Sequence, residues 1–183
     1  MGKTICFTGH RPNKLYGYDL EHPNYNNLKE NIYFETLKLI QEKDVDKVIT
    51  GGALGLDTLA FYTVENINST FKEKYEIKNK LAVPFKNQPN AWFRQKDKDR
   101  YNEMKEIADE VVYVDTLEKY KISNIREEEY HPAKMQKRNE YMVDNSDIVI
   151  AVWNGDKKGG TWNCIKYAQK LGKEIIYINP NEI

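Results

Sequence analysis

A glycine-rich stretch, TGGALGLDTLA at residues 50–60, follows a short apolar run. Gly51, Gly52 and Gly55 fall between a predicted strand and a predicted helix. A loop without Cβ atoms lets backbone N–H groups approach an anion, which the positive end of the helix dipole also attracts. The pattern indicates a site for phosphate or ribose-phosphate, or else a tight turn that binds nothing. It matches neither a Walker loop nor G-x-G-x-x-G.

A second glycine-rich helix start, Gly159-Gly160-Thr161, lies near the end of the chain. We expect Thr161 to cap this helix or to donate its hydroxyl to phosphate. Two such loops at one edge of a sheet predict a ligand with several polar groups, such as a nucleotide. Two ordinary glycine turns are the alternative.

Basic residues follow the first predicted strand, where Thr8-Gly9 leads into His10 and Arg11. An arginine can pair with phosphate through two N–H groups, and a histidine can hydrogen-bond or transfer a proton. An exposed loop histidine is the alternative for His10. The chain has three histidines, and no two stand at metal-ligand spacing, so we expect no metal site.

Polar residues elsewhere in the chain have two interpretations each. Asp57 either complements the dipole of its helix or bonds a ribose hydroxyl, and Arg138 either reaches the ligand or pairs with one of the acidic residues 127–129. Asn154 either reads a base or ribose or forms a turn. No catalytic residue is assigned, and the predicted ligand-binding residues are Thr8, Gly9, His10, Arg11, Gly51, Gly52, Ala53, Gly55, Asp57, Pro84, Phe85, Arg138, Asn139, Asn154, Gly155, Gly159, Gly160 and Thr161.

Short apolar runs alternate with longer amphipathic runs along the whole chain. Strands are predicted at 4–8, 47–50, 80–85, 110–114, 148–153 and 174–178, and helices at 26–43, 55–68, 91–109, 134–145 and 161–171. This alternation predicts an α/β fold, a parallel sheet of about six strands with helices on both faces. We expect a single domain over 1–183, with 115–133 as a loop or insertion beside the ligand edge.

Composition limits the classes of partner. Lysine plus arginine and aspartate plus glutamate both number 28, so the net charge is zero. Nucleic acid is therefore not expected as a partner, although a local basic pocket is compatible with this balance. Cys6 lies in an apolar run and Cys164 in a helix-like run, which predicts reduced core thiols and a cytoplasmic protein. We expect neither a signal peptide nor a membrane span, because the N-terminal residues have a single lysine and the sequence has no apolar run of about 18 residues.

Four motifs together resemble the YpsA-like branch of the SLOG superfamily. They are FTGHRP, TGGALGLDTLA, RNEYMVDNSDIVIAVWNG and KGGTWNCIKYA, and they run in order over nearly the whole chain. The resemblance implies a modified Rossmann fold, a homodimer or higher homo-oligomer, and a nucleotide or ADP-ribose-like ligand across the two glycine loops.

The same superfamily includes the Lonely Guy phosphoribohydrolases, and this chain departs from their motif. Cys164 stands where their P-G-G-x-G-T-x-x-E motif has its catalytic glutamate. A thiol cannot replace a carboxylate that stabilises an oxocarbenium-like centre. The favoured hypothesis is a protein that senses, responds to or sequesters a nucleotide-type ligand. The alternative is a hydrolase of nucleotides or nucleosides that uses Asp57, Glu140 or Asp144 as acid or base.

Overall fold

The computed structural model describes residues 2–183, and six parallel strands form its centre. The strands are β1 (Lys3–Gly9), β2 (Val45–Thr50), β3 (Lys78–Val83), β4 (Glu110–Tyr113), β5 (Ile148–Val152) and β6 (Glu174–Ile178). They lie in the order β4-β3-β2-β1-β5-β6, and every neighbouring pair is parallel. The predicted fold class, a parallel α/β sheet of six strands, is confirmed.

Five helices connect the strands and cover both faces of the sheet. They are α1 (Asn24–Lys43), α2 (Leu56–Thr70), α3 (Gln95–Ile107), α4 (Pro132–Asp144) and α5 (Gly159–Lys170). Successive side chains of a strand point to opposite faces. Ile5 and Phe7 of β1 therefore pack in the core beneath α1 and α2, whereas Cys6 between them packs with α4 and α5. Cys6 and Cys164 are free, buried thiols.

The strand order reverses direction between β1 and β5. From β1 the chain adds β2, β3 and β4 on one side, and it then returns to add β5 and β6 on the other. Helices at such a reversal leave on opposite faces of the sheet, so a crevice opens beyond the carboxyl ends of the two strands. Gly9 pairs with Val152 at this end, which fixes the point where the crevice begins.

All five helix starts differ from those predicted, by one to four residues, and two of the differences change the interpretation. The expected helix at 91–109 begins only at Gln95, because Gln88–Ala91 forms a 3₁₀ turn and both Trp92 and Arg94 have extended backbone angles. Helix α5 begins at Gly159 rather than Thr161, with Lys158 as its N-cap residue. Thr161 is therefore inside the first turn and does not cap the helix, which corrects the expected capping role.

The segment between β4 and α4 is held by a buried ion pair. Two 3₁₀ turns, Val114–Thr116 and Glu118–Tyr120, follow β4. Lys134 Nζ lies 2.9 Å from Asp115 Oδ2, and the two side chains are 3% and 4% exposed. The same ammonium donates to the Arg126 carbonyl, and Asp115 accepts the Glu128 amide. The pair thus joins the first turn of α4 to the loop that precedes it.

None of the helices within residues 2–183 is both long enough and apolar enough to cross a membrane.

We expect Lys134→Met to lower the free energy of unfolding by about 3–5 kcal/mol, because it leaves the Asp115 carboxylate buried without its partner. The double variant Lys134→Met, Asp115→Leu removes both charges and recovers most of that loss. Urea denaturation measures both values. The exposed pair Lys43–Glu174 provides the control, since Lys43→Met is expected to cost less than about 1 kcal/mol. A double variant as unstable as the single one would contradict this interpretation.

Candidate functional site

A cavity of about 420 Å³ lies at the reversal between β1 and β5, and we call it the switch-point cavity. The end of β1, the loop after β2, and the first turns of α4 and α5 form its walls. Its volume lies in the range that small-molecule sites occupy. Eleven of the predicted ligand-binding residues line it: Thr8, Gly9, His10, Arg11, Ala53, Asp57, Arg138, Asn139, Gly159, Gly160 and Thr161.

An ion pair between helices on opposite faces of the sheet crosses one side of this cavity. Arg138 Nη1 lies 3.2 Å from Asp57 Oδ2, and each side chain is 9% exposed. Asp57 Oδ2 also accepts the Ala53 amide at 3.1 Å, and Arg138 Nε donates to Asn139 Oδ1 at 3.1 Å. Arg138 therefore pairs with Asp57 and not with one of the acidic residues 127–129. Its side chain also lines the cavity, where it can reach a ligand.

The glycines after β2 are required by contacts within the protein. A Cβ on Gly51 would lie 1.4 Å from Arg138 Nη1, so only glycine leaves room for the guanidinium. Gly55 has a φ of +89°, and a Cβ there would lie 3.0 Å from the His10 carbonyl and from Pro12. Neither residue lines the cavity. The first glycine cluster therefore shapes the wall of the site, and its glycines are explained without a ligand.

The glycines that open α5 face empty space instead. A Cβ on Gly159 or Gly160 would meet no protein atom within 4 Å, and both residues line the cavity. The N-cap residue Lys158 provides no side-chain hydrogen bond to the helix. Because the first N–H groups of a helix have no partner inside it, this first turn presents free donors and the positive end of the dipole to the cavity.

His10 is a buried member of the site rather than an exposed loop residue. Its side chain is 4% exposed, and Nε2 lies 2.8 Å from Asn154 Oδ1. The Asp156 amide donates to the same oxygen, the Asn154 backbone N–H donates to Nε2 at 3.2 Å, and Nδ1 lies 3.5 Å from the Thr161 hydroxyl. Burial lowers the pKa of His10 below its ordinary value of 6.5, with smaller opposing contributions from Asn154 and Asp156. His10 is thus a neutral hydrogen-bonding group at pH 7 and does not supply the positive charge expected beside Arg11.

The charge of the cavity is positive although the net charge of the chain is zero. Four cationic side chains line it, and Asp57 is the single carboxylate among its lining residues. Lys14 is paired with Asp156 at the surface, and Arg138 with Asp57. Within residues 2–183, neither Arg11 nor Lys158 forms an ion pair, so both charges are available to an anion.

The remaining predicted residues lie behind or beside the cavity. Asn154 acts through His10, and Phe85 lines a neighbouring cavity. The lining residues that sequence analysis missed lie around the predicted loops and along α4: Phe7, Asn13, Lys14, Leu54, Tyr130, Pro132, Met135, Gln136, Met142, Lys158 and Asn163. The predicted residues that do not line the switch-point cavity are Gly51, Gly52, Gly55, Pro84, Phe85, Asn154 and Gly155.

Of the three carboxylates considered for hydrolysis, Asp57 lines the cavity in its pair with Arg138, whereas Glu140 and Asp144 are engaged elsewhere. Glu140 binds Lys137 at 2.7 Å and does not line the cavity. Asp144 accepts hydrogen bonds from Lys119, Tyr120 and Tyr167 on the side of α4 away from the site, and these contacts hold its pKa below the usual range although burial opposes them. Burial raises the pKa of Cys164 to about 11, so it remains a thiol.

A parallel sheet with a ligand-sized crevice at its strand-order reversal defines a Rossmann-like protein. The chain belongs to the YspA SLOG family, whose sequence model matches residues 5–183. This match confirms the resemblance to the YpsA-like branch of the SLOG superfamily.

Relatives match over most of their length. The SPbeta prophage-derived protein YoqJ of Bacillus subtilis is 40% identical over 164 residues, which cover 88% of this chain and 93% of YoqJ. A UPF0398 protein of Halalkalibacterium halodurans is 25% identical over 99% of this chain and 90% of its own length.

A solved structure of DNA processing protein A from Helicobacter pylori has the same fold. It superposes with a TM-score of 0.60 at 18% identity, over 97% of this chain and 66%, just under two thirds, of that chain. The Helicobacter protein is described as having a unique single-stranded DNA binding mode. The net charge of zero led to the expectation that nucleic acid is not a partner. That expectation is wrong, because a protein of this fold binds single-stranded DNA. Family and fold support a nucleotide-related or nucleic-acid-binding role.

We expect the wild-type protein to lose stability relative to His10→Gln as the pH falls from 7 through 6.5 and below. The unfolded chain protonates His10 near pH 6.5, whereas the folded protein resists protonation until a lower pH. The folded state therefore binds fewer protons in that window, and its stability rises with pH. Urea denaturation of both proteins at pH 5–8 measures the difference, since the other two histidines are common to both. A difference that stays constant would contradict the buried, neutral His10.

Proposed function

We propose that this protein binds the phosphate and ribose of a nucleotide or ADP-ribose-like ligand in the switch-point cavity, and that it acts as a sensor, regulator or sequestering protein. The first turn of α5 is the observation that carries the proposal. Its amide groups are uncapped, and the Gly159–Gly160 backbone is open to a cavity with two unpaired cations. Free N–H groups at a helix start are a common phosphate site.

The other polar groups of the cavity suit the rest of such a ligand. Arg11 is exposed at the rim, where its guanidinium can form a two-bond contact with a phosphate. Asn139 lies deeper, and its amide contacts the Gly160 carbonyl only at 3.4 Å. The Thr161 hydroxyl and the Asn139 amide are therefore the groups that we assign to ribose hydroxyls or a second phosphate.

A single strand of nucleic acid is the second candidate ligand. The likeness in fold to a protein that binds single-stranded DNA favours it, together with the positive charge of the switch-point cavity. A strand presents the same phosphate and ribose groups as a free nucleotide. Binding of a strand through phosphate contacts weakens steeply as the salt concentration rises.

The variant Gly160→Asp tests the phosphate site. We expect it to reduce the affinity for AMP and ADP-ribose at least tenfold, because its carboxylate occupies the space that we assign to the anion. Gly160→Asn is the matched control, with nearly the same size and no charge. Stability should not fall in Gly160→Asp, since a negative charge in the first turn of a helix is favourable by about 0.3–1 kcal/mol.

Calorimetric titration measures the affinities, and the melting temperature reports folding. A ligand at 100 times its dissociation constant should stabilise the wild-type protein by about 2.7 kcal/mol. Affinities of the Asp and Asn variants that both equal the wild-type value would show that the α5 turn is not the anion site. Absence of binding by the wild-type protein would remove the proposed function.

A further inference from the structure

A second cavity adjoins the switch-point cavity, and its character is different. It has a volume of about 750 Å³, and aromatic rings from three loops surround it; we call it the aromatic cavity. The rings belong to Tyr18, Phe85, Trp92, Phe93 and Tyr130. Of these five residues, only Phe85, which follows β3, is among the predicted ligand-binding residues. The phosphate and ribose contacts proposed above use none of these rings.

The two cavities share part of their walls. Arg11, Ala53, Leu54, Tyr130 and Met135 line both of them. A ligand whose phosphate lies at the first turn of α5 can therefore extend past Arg11 into the aromatic cavity without leaving the protein surface.

Three of the rings are largely exposed to solvent. Phe93 is fully exposed, Tyr130 is 63% exposed and Tyr18 is 48% exposed. Trp92 and Phe85 are fixed behind them, since Trp92 packs edge-on against Tyr101 at 5.3 Å and Phe85 against Tyr130 at 6.0 Å. Exposed rings beside a firm aromatic wall form a surface on which a flat, apolar group can stack.

One buried polar atom without a hydrogen-bond partner and one buried carboxylate also lie in the walls. The Gln88 side chain is 5% exposed, and its Oε1 has no hydrogen-bond partner within residues 2–183. Asp97 is similarly buried, and its nearest cations, Arg94 and Arg100, lie at 3.8 and 3.9 Å. An amide and a carboxylate in a mostly aromatic cavity suit a flat ligand whose edge carries N–H groups.

We propose that the aromatic cavity binds the nucleobase of the ligand whose phosphate occupies the switch-point cavity, by stacking on Tyr130 and Phe93 with its edge toward Gln88 and Asp97. This inference rests on the proposed function and adds the subsite of the base, which the proposed function leaves open. A free nucleotide and the end of a single strand share this chemistry. Stacking on an aromatic side chain strengthens binding by about tenfold or more per base.

The test compares ligands with and without a base, titrated into the full-length protein by calorimetry. Wild-type protein is expected to bind 5′-nucleoside monophosphates at least tenfold more tightly than ribose 5-phosphate. The variant Phe93→Ser should lose most of that advantage while it keeps its affinity for ribose 5-phosphate, because Phe93 lines the aromatic cavity and not the switch-point cavity. The control Phe93→Tyr retains the ring and should retain the advantage. The melting temperatures of both variants report whether the exposed positions disturb folding.

The outcomes separate the two proposals. Equal affinity for ribose 5-phosphate and nucleotides, or a base advantage that survives in the serine variant, overturns the base site and leaves the phosphate site standing. Loss of ribose 5-phosphate binding in Gly160→Asp but not in the serine variant supports two distinct subsites. If wild-type protein binds neither compound, both proposals fall. A 5′-phosphorylated oligonucleotide that binds more tightly than the mononucleotide identifies a strand as the source of the base, and equal binding identifies a free nucleotide.

Discussion

The ion pair between Arg138 and Asp57 is the interaction on which the site depends. It joins α4, on one face of the sheet, to α2, on the other, across the carboxyl ends of the central strands. Gly51 makes this possible because its missing side chain leaves space for the guanidinium. Asp57 in turn holds the Ala53 amide and so fixes the loop that forms one wall of the cavity. A partly buried charge pair costs desolvation, and its hydrogen bonds to Ala53 and Asn139 offset that cost.

The net charge of the whole chain differs from the local charge of the switch-point cavity. Equal numbers of acidic and basic residues give a net charge of zero, yet the lining of the switch-point cavity is cationic. The expectation, drawn from composition, that nucleic acid is not a partner is wrong, because the solved structure of similar fold belongs to a protein with a single-stranded DNA binding mode. A local group of positive side chains can hold phosphate groups whatever the rest of the surface carries.

The fold can be predicted from the sequence because its signals are local. Buried strands are short apolar runs, and β6 is predicted at the residues where it lies. The cavity can be predicted in outline, because parallel strands bring the residues that follow them to one edge. The roles of the individual residues in the cavity cannot be predicted, since they depend on contacts between distant parts of the chain. Nothing near Gly51 in the sequence reveals Arg138, and nothing near His10 reveals Asn154, 144 positions away. Tyr130 and Phe93 carry no periodic pattern, so the sequence gives no sign of the aromatic cavity.

The buried pair of Lys134 and Asp115 has a consequence for recognition. It holds the Arg126 carbonyl and the amide of Glu128, a residue with a left-handed φ of 66°, and Tyr130 follows two positions later. The conformational entropy of this loop is therefore lost when the chain folds rather than when a ligand arrives. A surface that is already rigid needs little rearrangement on encounter, so association with it is limited by diffusion and orientation instead of by a slow closing step.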